Sequence, residues 1–189
     1  MEEVRRLLRA YGVFVQGSYV LDILFGKKFA RDMGVFVVKG SQSPEIPPDI
    51  RAHMTEIDAI PKAFLGVYNV DRYFLIFSPG KPEGEIIHPV DYPPKPEKLF
   101  LISARQLAVA DVVRGIKFFI RYNLEPIQET KKVWLSAMEK IFGDQAKKLL
   151  FFQGEDEVKN YILFVLREGT NELEKKRVLQ ELRKYCPKL

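Results

Sequence analysis

Val13-Phe14-Val15-Gln16-Gly17-Ser18-Tyr19-Val20-Leu21-Asp22-Ile23-Leu24-Phe25-Gly26 decides how the first half of this 189-residue chain folds. Val13, Phe14 and Val15 have the character of a strand buried on both faces. Gly17-Ser18 follows as a small-residue turn, and the next residues have the spacing of a short amphipathic helix with Gly26 as its stop. Further on, Arg31-Asp32-Met33-Gly34-Val35-Phe36-Val37-Val38 places an acidic residue at the entrance of a second apolar strand. A small-residue turn at a helix N-terminus favours a phosphate, because backbone N–H groups and the helix dipole point at it. A carboxylate at the head of the next strand is well placed to hold a metal beside that phosphate.

Outward from this stretch, Met1–Arg9 reads as a charged amphipathic helix rather than a signal peptide. Ser41–Pro48 is rich in Ser and Pro and reads as a loop, and Thr55–Ile60 alternates as a strand with one wet face. Leu65–Val70 and Arg72–Phe77 read as paired strands. Ser78–Gly84 is expected to turn and Glu85–Ile87 to form a short last strand. Four prolines in Pro89–Pro96 make that segment the expected hinge. Beyond it the period becomes helical: helices are expected over Ala104–Tyr122, Pro126–Phe142, Asp144–Phe152, Glu155–Arg167 and Asn171–Tyr185. The expected class is therefore α+β, with a small mixed sheet and flanking helices over residues 1–100 and an all-helical segment over 101–189.

Composition narrows the function classes. Hydrophobic residues make up 47% and charged residues 29% of the chain, as in soluble globular proteins. No apolar run approaches the roughly 20 residues that span a bilayer, so no membrane partner is expected. A single cysteine, Cys186, makes no internal disulfide, which fits a reducing cytoplasm. His53 and His88 stand alone, without the spacing of a zinc site. Residues 1–100 hold 13 basic and 13 acidic residues, so the second half carries the entire net charge of +5. That imbalance fits an anionic partner such as nucleic acid, or a well-solvated Lys/Glu-rich helical surface. The helical aromatics, Phe118, Phe119, Phe142, Phe151, Phe152, Tyr161 and Phe164, are expected to form core.

The stretch Gly17–Gly26 with Asp32 resembles the first motif of class II tRNA nucleotidyltransferases and bacterial poly(A) polymerases, Gly-Gly-x-Val-Arg-Asp-x-Leu-Leu-Gly…Asp-x-Asp. Arg114-Gly115-Ile116-Lys117-Phe118-Phe119-Ile120-Arg121-Tyr122-Asn123-Leu124-Glu125…Glu129-Thr130 is similar to the helix that follows the catalytic head in that family. Gly84-Glu85-Ile86-Ile87-His88-Pro89 is a fainter echo, with His88 where the family has aspartate. The resemblance implies a template-independent RNA nucleotidyltransferase acting on a nucleoside triphosphate and an RNA 3′ end with Mg²⁺. It implies a nucleotide pocket shaped by Gly17, Ser18, Asp22 and Arg114, with Lys117 and Arg121 contacting RNA. Residues 114, 117 and 121, three and four apart, form one basic stripe along a helix. A solvated helix face is the other reading of that stripe.

The chain departs from the family where the chemistry is concentrated. Two metals require carboxylates one residue apart on a strand, on one face. Asp32 supplies the first, but Gly34 stands at the second. Asp58 is the substitute ligand this sequence offers, alongside Asp32 and with Glu56 on its own face; a solvent-facing strand position is its alternative. Leu21 replaces an arginine, and the base-reading positions fall on Leu107, Ala108 and Asp111. Two functions follow as expectations: a nucleotidyltransferase with an incomplete two-metal site and weak or altered activity, or an inactive nucleotide- or RNA-binding pseudo-enzyme.

Overall fold

The computed structural model describes residues 2–28, 34–39, 46–58, 66–78, 80–103, 107–142, 155–167 and 171–187. The chain separates into two compact units, Met1–Pro96 and Glu97–Leu189. The class is α+β: a five-stranded mixed sheet with flanking helices, and a helical C-terminal part.

In the first unit, α1 (Glu2–Tyr11) leads into β1 (Val13–Gln16) and α2 (Ser18–Phe25). β2 (Gly34–Val38), the single-turn α3 (Pro48–Arg51) and β3 (Met54–Ile57) follow, then β4 (Phe74–Ser78) and β5 (Lys81–Ile87). The strand order is β3-β2-β1-β4-β5. Only the β2–β3 pair is parallel. β1 is central, and Val13, Phe14 and Val15 are wholly buried, as their apolar run predicts. Alternation sorts the side chains onto two faces. Val13, Val15, Val35, Val37, Leu75 and Phe77 pack with Tyr19 and Val20 of α2 and Ile50 of α3. Phe14, Phe74 and Ile76 pack with Val4 and Leu8 of α1 on the other face. The sheet is thus a middle layer with a core on each side.

Several expected boundaries move. The pairing of Leu65–Val70 with Arg72–Phe77 is replaced by a 3₁₀ turn, Asn69–Arg72, ahead of β4. The cause is Asp71: its carboxylate accepts the Val67 and Tyr68 N–H groups at 3.1 Å each, and a local side-chain bond of this kind displaces a strand ladder. β5 begins at Lys81, inside the expected turn, and tolerates Pro82 because it lies at the sheet edge. α3, with Pro48 at its start, falls at the end of the expected Ser41–Pro48 loop; residues 41–45 lie outside the described residues.

In the second unit, the helices are α4 (Val109–Tyr122), α5 (Gln128–Phe142), α6 (Glu155–Arg167) and α7 (Glu172–Tyr185). α5 starts two residues later than Pro126, which instead bridges Leu99. The expected helix over 144–152 lies outside the described residues. Val112, Val113, Ile116, Trp134, Met138, Ile162, Leu166, Val178 and Leu182 are buried. Phe118 is buried as expected, but Phe164 is 58% exposed and is no part of that core. None of the helices among the described residues is long and apolar enough to cross a membrane.

Candidate functional site

β1 ends at Gln16, where it lies between Gly34, the first residue of β2, and Phe74, the first of β4. Three chain segments therefore meet at one end of the sheet: the Gly17-Ser18 turn, the entrance of β2 and the Asn69–Arg72 turn. Gln16 ties two of them, since its Nε2 donates to the Asp71 carbonyl at 2.6 Å. Asn69 and Asp71 are buried beside it. Sequence reading passed over these polar residues because Asn69-Val70-Asp71 looks like an ordinary turn.

Gly17 sets the geometry of this end. It caps α2 with φ +92° and ψ −148°, a conformation that favours glycine. A Cβ built there meets no heavy atom of the described residues within 4 Å, so among them the approach to the start of α2 is open on that side. Ser18 is half-buried in the first turn. Next to it, Tyr19 is buried, and desolvation, then the charge of Asp49, pushes its phenol pKa up.

The other members of the expected pocket are built differently. Leu21 and Asp22 are both buried in α2, so neither presents a surface to a ligand. Gly34 alternates with Val35 and so lies on the α1 side of the sheet, where a Cβ would stand 3.1 Å from the Phe36 ring. Asp32 lies outside the described residues. Asp58 is not brought to this end. Because β3 runs parallel to β2 in the register Val35↔Met54 to Val38↔Ile57, Asp58 follows the far end of the pair. There it forms an exposed ion pair with Lys39 at 2.8 Å, its own side chain 87% exposed. The shared cation site expected from Asp32 and Asp58 thus has its second ligand at the opposite end of β2 from Gly34. Among the described residues, no three His, Cys, Asp or Glu side chains gather as a metal site. Asp58 alone among the described residues belongs to the expected Mg²⁺ ligand pair.

On α4, the basic stripe is partly absorbed into the helical unit. Arg121 Nη1 donates to both carboxylate oxygens of Glu174 on α7, at 3.1 and 3.0 Å. Their side chains are only 12% and 18% exposed, so Arg121 is an internal tie and its expected RNA contact is not supported. Arg114 lies 4.8 Å over the Phe118 ring, and Lys117 is half-buried on the same helix. At the family's base-reading positions, Leu107 is buried and Asp111 caps α4, accepting the Ala108 N–H at 3.1 Å.

No family model, curated protein or solved structure matches this chain.

Proposed function

We propose that the first unit is a catalytically silent module of nucleotidyltransferase type that binds a nucleotide phosphate at the Gly17-Ser18 turn. The observation that carries this reading is Gly17 at the start of α2, with its positive φ and no described heavy atom where a Cβ would stand. A side-chain-free N-cap lets a phosphate approach the positive end of the helix closely. Silence is supported by the core placement of Leu21, by Phe36 beneath Gly34, and by the distance of Asp58 from the turn.

Ser18→Asp tests the site. A carboxylate in the first turn favours the helix by a few tenths to about 1 kcal/mol but repels an incoming phosphate. ATP titrated calorimetrically into the wild-type chain should bind in the presence of EDTA, and Ser18→Asp should weaken that binding at least tenfold while leaving thermal stability intact. Labelled ATP, RNA and Mg²⁺ should yield no extension product. Extension that disappears in Asp32→Ala would establish the active enzyme instead. Absence of ATP binding, or equal binding by Ser18→Asp, would remove the turn as a site.

A further inference from the structure

The charges of α7 are sorted by direction. At 100° per residue, Leu173, Lys176, Arg177, Gln180, Arg183 and Lys184 fall within an arc of about 120°. All six are exposed. Val178 and Leu182, on the opposite side, are buried, and Tyr185 meets Trp134 edge-on at 5.6 Å. Glu174 turns inward to Arg121, whereas Glu181, itself 13% exposed, reaches Lys184 of the outer arc from its flank. The third carboxylate of the helix, Glu172, sits in the first turn and is engaged by Lys175 at 2.6 Å. From residue 176 onward the outer arc holds cations and one glutamine, with no carboxylate. Among the described residues, Lys176, Arg177 and Arg183 have no ion pair.

We propose that this outer face of α7 binds the phosphate backbone of a nucleic acid. Lys176 and Arg183 stand about 10 Å apart along the axis, a rigid row of positive charge that a polyanion can follow. A protein partner is disfavoured because the arc offers Leu173 as its one apolar residue and no aromatic anchor, whereas tight protein interfaces are centred on such anchors. A membrane surface is disfavoured on the same ground, since an interfacial helix needs an apolar face. Backbone recognition needs only cations, and so carries no base specificity. The proposal concerns the helical unit alone and stands whether or not the first unit binds nucleotide.

The test is fluorescence anisotropy of the full chain with a labelled, unstructured 20-nucleotide RNA and its DNA counterpart, across a salt series. Arg177→Glu/Arg183→Glu is compared with Lys132→Glu/Lys140→Glu, which changes net charge equally from exposed positions on α5. Both are surface variants, and circular dichroism melts check that both fold. The α7 pair should weaken binding of both oligonucleotides by about tenfold or more and lower the log–log salt slope by roughly 1.4, while the α5 pair retains most of the affinity. Equal losses in the two pairs would mean net charge alone, and overturn the proposal. So would the absence of binding at low salt, or polyglutamate competing on equal terms with RNA.

Discussion

Asp71 shows what one buried carboxylate does for the candidate site. It receives two backbone N–H groups, from Val67 and Tyr68, and its own carbonyl receives the Gln16 side chain. Gly66, at φ +60°, makes room: a Cβ there would lie 2.1 Å from the Asp71 Cβ. Asp71→Ala leaves two N–H groups in a buried turn without that acceptor, and each such orphan costs about 1–3 kcal/mol. Asp71→Asn keeps a carbonyl oxygen as acceptor. Urea denaturation should therefore show Asp71→Ala less stable by roughly 2–4 kcal/mol, with Asp71→Asn losing clearly less. Equal losses would mean that the charge, rather than the acceptor, holds the turn. Gly66→Ala should be destabilising as well, because both its φ and the approach of Asp71 oppose a side chain.

At the scale of elements, the α4–α7 contact turns on the Arg121–Glu174 pair. The two side chains are mostly out of water, so removing one strands the other. Arg121→Met should cost about 2–4 kcal/mol in guanidinium denaturation, and Glu174→Leu a similar amount, whereas the double replacement should recover at least half of the summed loss. Additive losses would place the pair among solvent-screened bridges of little worth. The same pair marks where sequence reading stops. Its partners are 53 residues apart, and a helical stripe at 114, 117 and 121 gives no sign that one member faces inward. Strand direction was equally hidden: the strand expected over Thr55–Ile60 is observed over Met54–Ile57, and only its parallel pairing with β2 reveals that Asp58 belongs to the far end. Local pattern was enough where it was strong. Val13–Val15, the Gly17 turn, α2 and the start and end of α6 were legible because apolar runs, caps and period agree there. β4 and β5 slipped because the local bonds of Asp71 override strand pattern and because Pro82 is tolerated at a sheet edge that the sequence does not mark.

At the scale of the molecule, the two units should fold independently. Residues 1–96 contain a complete sheet with its own core on each face, from Val4 to Tyr92. Residues 97–189 contain their own buried set, from Leu99 to Cys186, centred on Trp134, Ile116 and Leu182. Units of this length are small but within the range that folds alone. Expressed separately, 1–96 should give a mixed α/β circular dichroism spectrum and 97–189 a helical one, each with a single cooperative urea transition. The ligands should divide in the same way: ATP with the first fragment, nucleic acid with the second. A fragment that has helical or strand signal but binds an apolar dye and melts without cooperativity would lack fixed packing. Independent folding of that unit would then be ruled out.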